Sequence, residues 1–252
     1  EQLTGVRERR WWNEGTSISE MAAKAAQKAL HRAGIDIGSV DRLIYTGVCR
    51  EGFEPATACA VAHHLGAGEN IELHDLSNAC LGSMDAVVLA QDAFRSRRHE
   101  VTLVVSCESA REIVEIACHQ LQKHPQMDLF TKSLATWTGG SGAAALLLVS
   151  SDVSDHGPKL LGSAQGTDSR WHQLCRWGVK THDTLTDPAS REEFMETDAI
   201  GVLQHGVALG LQTWDRFLTE LNWHSSDVNR TICHQVGSAH RLEILPSLGI
   251  SP

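Results

Sequence analysis

Residues 75–91 read DLSNACLGSMDAVVLAQ. An apolar segment, IELHDLS (71–77), gives way there to a run with helical spacing, and Cys80 stands at the change. The first turn of a helix exposes unpaired N–H groups and the positive end of the dipole. A thiolate at that point is stabilised, which lowers its pKa and arms it as a nucleophile. The plainer reading is a small apolar residue filling a strand–helix junction. Position alone leaves the two readings even.

Outward from this junction the chain alternates. SISEMAAKAAQKALHRAGI (17–35) predicts a helix, with Ser17 and Glu20 as a capping box and Gly34 as its stop. RLIYTGVC (42–49) predicts a buried strand, and PATACAVAHHLG (55–66) a helix between Pro55 and Gly66. A strand at 71–77 and a helix from Cys80 to about Arg97 follow. VTLVVSC (101–107), REIVEIACHQLQKH (111–124) and GSGAAALLLVS (140–150) predict strand, helix and strand. Several of these strands are apolar on both faces, so the expected class is α/β, with sheets covered by helices. Residues 151–198 show little periodicity and read as an insertion. A long helix is expected at 199–223, then a short strand in RTICHQ (230–235).

Bulk properties restrict the function. The 252 residues suffice for a sizeable core, and 42% hydrophobic with 21% charged residues is a globular composition. The longest apolar run, AAALLLV (143–149), is too short to span a bilayer, and no secretory leader is evident at Glu1. A net charge of −9 argues against a nucleic-acid binder; RERR (7–10) and RSRR (95–98) read as solvated faces or as an anion contact. Seven cysteines without C-x-x-C spacing fit a reducing cytoplasm rather than a disulfide framework. Fourteen histidines raise the question of metal, yet neither His172 with Cys175 nor His63 with His64 has a second ligand pair, so no metal site is expected.

A second chemical stretch is RTICHQVGSAHR (230–241), where His234 occupies the same kind of place as Cys80, a strand end leading into a turn. Cysteine and histidine so placed are the minimal pair for thiolate catalysis.

TGVRERR (4–10), EPATACAV (54–61), DLSNACLG (75–82) and CHQVGSAHR (233–241), in this order, resemble the β-ketoacyl-ACP synthase III family of the thiolase fold. The resemblance implies an αβαβα layered fold of two similar halves. The first half, 1–150, carries the nucleophile; the second, 151–252, is incomplete and carries the insertion 151–198 and the catalytic His. It implies an acyltransferase in fatty-acid or related lipid biosynthesis, with Cys80 as acyl acceptor and His234 as its partner. Acyl-CoA, malonyl-ACP or acyl carrier protein would be substrates, no cofactor would be resident, and the chain would form a homodimer. The resemblance also places an opening strand and a third catalytic residue, an Asn, outside residues 1–252, so activity is expected of the complete parent and little of 1–252 alone.

Glu54, 26 residues before Cys80 in FEPATA, resembles the base of the branch that joins two acyl-CoA chains head to head, where it acts across the dimer. Its plainer reading is an acid at a helix N-terminus. Three departures bear on carrier recognition: Leu3 replaces the usual Arg, GGSG (139–142) replaces Phe-Gly-Asp-Gly, and Val236–Arg241 replaces Ala-Asn-x-Arg. A catalytically silent thiolase-fold subunit is the alternative from another class.

Overall fold

A computed structural model describes residues 6–181, 191–234 and 238–250. Two compact units divide them: residues 10–110 with 140–160, and residues up to 9 with 111–139 and 161–252. Neither unit is therefore a continuous stretch cut near residue 150.

In the first unit, helix α1 (Ile18–Ala33) has Ser17 as its N-cap, the Oγ accepting from Glu20 N, and Gly34 in the left-handed region closes it. Strand β1 (Arg42–Tyr45) precedes helix α2 (Thr57–Leu65), which stops at left-handed Gly66. Strand β2 (Glu72–Asp75), helix α3 (Gly82–Arg95), strand β3 (Val101–Glu108) and, after residues 111–139 of the second unit, strand β4 (Gly142–Val149) complete it. The sheet order is β2-β1-β3-β4, with β1 parallel to both neighbours and β4 antiparallel to β3.

Alternation along the strands sorts the core. Leu43, Tyr45, Leu103, Val105 and Cys107 face Ala22, Ala23 and Ala26 of α1 and Ala58 and Val61 of α2. Ile44 and Val104 face the other way, toward Ala86 of α3. Helix α3 buries Gly82, Ala86, Ala90 and Ala93, so small side chains bring it close to the sheet, while Leu81, Met84 and Leu89 are exposed.

In the second unit, helices α4 (Arg111–Lys123) and α5 (Met127–Ser133) pack on a hairpin of β5 (Cys175–Thr181) and β6 (Arg191–Thr197). Helix α6 (Ala199–Leu221), capped by Asp198 and closed by left-handed Asn222, packs with α7 (Ser238–Ser247). Two expectations are corrected here. The stretch 151–198 contains the β5–β6 hairpin, whose strands carry many polar residues and show no strong apolar signal. The strand expected at 230–235 is absent from 230–234, which are irregular, and Gln235 lies outside the described residues.

At the N-terminal edge of the sheet, Glu72 gathers two arginines and two histidines from three segments. Arg42 donates from Nε and Nη2 at 3.2 and 2.9 Å, Arg98 Nη2 lies at 3.3 Å, and the His99 and His74 rings lie at 3.0 and 3.5 Å. The Arg42 hydrogen bonds are the largest reason that its carboxyl titrates at about 2 rather than 4.5. A carboxyl depressed on folding stabilises the protein above its unfolded pKa, and that stability is lost as pH falls through the folded value. Glu72→Gln is therefore expected to lower stability modestly at pH 7 and to flatten the acid limb between about pH 4.5 and 2, read by urea unfolding at several pH values. The effect is small because solvent reaches the pair; an unchanged acid limb would remove Glu72 from that role.

Candidate active site

Parallel pairing sets Tyr45 opposite Asp75, so the segments after β1 and β2 leave the same edge of the sheet. The C-terminal edge of such a sheet is where α/β proteins assemble their sites. After β2, Leu76 N donates to Tyr45 O at 2.8 Å, and Ala79 takes a left-handed conformation with φ 44°. A non-glycine residue there is strained by roughly 1 kcal/mol. Cys80 follows in a 3₁₀ turn, Ala79–Leu81, and is exposed. This corrects the expected placement in the first turn of the helix: α3 begins two residues later, at Gly82, and no side chain caps it. The turn is held from both sides. A Cβ on Gly82 would lie 3.0 Å from Thr46 O, Thr46 Oγ1 and Ser83 Oγ are 2.8 Å apart, and Asn78 Nδ2 donates to the Asp85 carboxylate.

The segment after β1, residues 46–56, is pinned by carboxylates at several points. Glu108, the last residue of β3, accepts from Val48 N and Cys49 N at 2.8 and 3.1 Å. Tyr45 Oη sets its single proton between Cys49 O and, at 2.8 Å, Cys107 O. Glu51 accepts from Ser17 Oγ, Ser19 N and Ser19 Oγ at 2.6–2.7 Å. Burial opposes ionisation of Glu51, but the hydrogen bonds from Ser19 and Ser17 outweigh it and hold its carboxyl below the usual range. Phe53, 98% exposed, and exposed Glu54 stand at the tip of this loop.

The N-terminus of α2 is served by Asp75, whose Oδ2 and Oδ1 accept from Thr57 N and Ala58 N, both at 2.9 Å. Sequence reasoning missed Asp75, although it opens the nucleophile stretch; its partners come from a neighbouring strand's loop, which spacing along the chain does not reveal.

Cys80 and Glu54 thus belong to one unit and leave one edge of its sheet. His234 belongs to the other unit, exposed in the irregular segment that precedes α7. Among the described residues, no group of three or more His, Cys, Asp or Glu could hold a metal ion. No helix among them is long and apolar enough to cross a membrane.

Residues 5–132 match the thiolase N-terminal domain, and the chain belongs to the thiolase family. It is 41% identical over 99% of its length to the acyl-CoA:acyl-CoA alkyltransferase of Shewanella oneidensis, covering 71% of that protein. It is 27% identical over 98% of its length to a β-ketoacyl-[acyl-carrier-protein] synthase III of Natranaerobius thermophilus, covering 72% of it. The crystal structure of cerulenin-bound Xanthomonas campestris OleA superposes with a TM-score of 0.89 at 28% identity, covering 99% of this chain and 69% of that one. OleA of that organism has also been solved with lauric acid and lauroyl-CoA bound. Its solved variants alter a cysteine, a glutamate 26 positions before it, and a histidine. Glu54 precedes Cys80 by the same 26 positions. The αβαβα class expected from the sequence thus agrees with the thiolase family and with the OleA structures.

Proposed function

We propose that this protein, a condensing acyltransferase, joins two acyl-CoA thioesters head to head without loss of CO₂. Cys80 Sγ adds to the first thioester carbonyl and CoA thiolate leaves, giving an acyl-enzyme. A base then takes the α-proton of the second acyl-CoA. Its α-carbon bonds to the acyl carbonyl while the bond to Cys80 Sγ breaks, leaving a 2-alkyl-3-oxoacyl-CoA. Glu54 of the partner subunit is that base, in a homodimer. His234 stabilises the negative oxygen that develops in each step, as does the backbone N–H at the Cys80 turn. The reading needs no resident cofactor or metal, since CoA enters as part of the substrate, and it places the protein in the cytoplasm, in lipid biosynthesis.

The observation that carries this reading is Glu54 itself. It stands exposed at a loop tip, relieved of any helix-capping duty by Asp75, and it keeps the 26-residue interval to Cys80 found between the altered residues of OleA. The likeness to β-ketoacyl-ACP synthase III supports the second reading, in which a malonyl group on an acyl carrier protein supplies the carbanion by losing CO₂.

Incubating the full-length protein with a single saturated acyl-CoA separates the two. The expected product retains all carbons of two acyl groups, with one CoA released as each bond forms. A requirement for a malonyl thioester, with one CO₂ released per product, would favour the decarboxylative route instead. Mixed dimers test the placement of Glu54: Cys80→Ala and Glu54→Gln, each inactive alone, should regain activity when co-expressed. No regain in verified heterodimers would confine Glu54 to its own subunit.

A further inference from the structure

Asp75 accepts three hydrogen bonds, and their origins are the basis of this inference. Arg50 Nη1 donates to its Oδ2 at 3.0 Å, from the stem of the loop before Phe53 and Glu54. Thr57 N and Ala58 N donate at 2.9 Å, from the stem after that tip. One carboxylate therefore closes the base of the loop 51–56 by holding both of its ends. The Asp75 side chain is only 8% exposed, so the charge is withdrawn from water and satisfied by these donors. Asp75 is also the last residue of β2 and stands five positions before Cys80, on the strand that delivers the nucleophile turn. Glu51 N also donates to Thr57 Oγ1 across the base of the loop, at 3.4 Å, but that bond does not reach β2; Glu108 holds the beginning of the loop, and the Glu51 carboxylate ties it outward to α1.

We propose that Asp75, through its ion pair with Arg50, is a positioning residue for carbon–carbon bond formation: it fixes the Glu54 loop to the end of β2 in its own subunit and so sets where Glu54 is presented to the partner subunit's site. The proposal rests on the reading of Glu54 as the α-proton base. The Asp75 carboxylate is engaged by Arg50 and by the start of α2. It acts by holding Glu54 at a set place relative to the sheet edge, and a displacement of about 1 Å in such a group can cost on the order of 10²-fold in rate. Acylation of Cys80 does not use Glu54, so the two half-reactions should respond differently. A merely structural role would lower both together.

The experiment compares Glu54→Gln, Asp75→Asn, Arg50→Gln and Arg50→Lys in the full-length protein. Acyl transfer to Cys80 is read by intact-protein mass spectrometry and condensation by product formation from lauroyl-CoA. Asp75→Asn turns an acceptor into a partial donor facing three N–H groups. Condensation should fall on the order of 10²-fold, with acylation within about threefold of the parent. Arg50→Gln releases one stem and leaves the α2 N-terminus capped, so it should show the same split at roughly 10-fold. Arg50→Lys, which keeps the charge, should restore most of the loss. Arg50→Gln also keeps the test decisive if Asp75→Asn fails to fold. Equal loss of acylation and condensation in Arg50→Gln, or no loss of either, overturns the positioning role while leaving the Glu54 reading intact, provided Glu54→Gln itself loses condensation. If Glu54→Gln condenses as well as the parent, the base reading fails and the positioning role fails with it.

Discussion

Cys80→Ala is expected to abolish acyl-enzyme formation completely. The parent, mixed with acyl-CoA, should gain the mass of one acyl group; the variant should gain none, and condensation should fall by roughly 10⁴-fold or more. The surroundings of Cys107, Cys49 and Cys175 explain why these three should not label. Cys107 is buried in the sheet, and burial, with the neighbouring Glu108 charge adding to it, pushes its thiol up to about 11. Cys49 is engaged with both the N–H and the C=O of Ser109 at 3.3 Å. Cys175 is exposed but sits on a hairpin strand with the Thr197 hydroxyl 3.6 Å away, and no helix begins beside it. Cys80 combines exposure with a turn that runs into a helix N-terminus without a side-chain cap, and the positive end of a helix dipole favours negative charge. Cys175→Ala should leave labelling intact. A folded parent that acquires no acyl group would sink the condensing reading and favour a catalytically silent subunit.

What the sequence revealed was local. The Ser17 cap of α1, the stops at Gly34 and Gly66, and the alternation of β3 each depend on residues within a few positions of one another. The class of the fold followed from them. The start of α3 was misplaced by two residues because Ala79, not a glycine or asparagine, takes the left-handed conformation, and alanine gives no signal for it. The β5–β6 hairpin went unseen because its strands are held partly by polar pairs such as Arg176 with Glu196, where an apolar pattern would have been legible. Cys80 and Glu54 were visible as residue types at a spacing. Asp75 was visible only as the letter that opens DLSNAC. Its meaning depends on Arg50 and Thr57, which reach it because β1 and β2 lie side by side, and adjacency of strands is not written at any fixed interval.

Gly47→Ala is expected to be the most destabilising single-methyl change in the sheet unit. Its φ is unremarkable, so the argument rests on space. A Cβ there would lie 2.3 Å from Tyr45 Oη and 2.6 Å from Cys107 O. Neither neighbour can retreat cheaply. Cys107 O belongs to the backbone of β3, where Cys107 pairs with Ala143 of β4, and the Tyr45 ring is fully buried, its hydroxyl proton set between Cys107 O and Cys49 O. Burial, with the nearby Glu108 charge adding to it, raises the Tyr45 phenol far above its ordinary value, so it remains a neutral donor throughout the working pH range. The methyl group must therefore push the chain at 47–50 outward or break the phenol's hydrogen bonds, at a cost of about 2–4 kcal/mol. The urea midpoint should fall accordingly with the slope of the transition unchanged. A double-mutant cycle locates the clash: Tyr45→Phe removes the hydroxyl, so Gly47→Ala should cost less in that background than in the parent, the residue being the contact with Cys107 O. The displaced segment begins the loop that carries Arg50 and Glu54, so protein that remains folded should also condense more slowly. A midpoint within error of the parent's would mean that the loop is held some other way, and the close packing of Gly47 against Tyr45 would lose its role in placing Glu54.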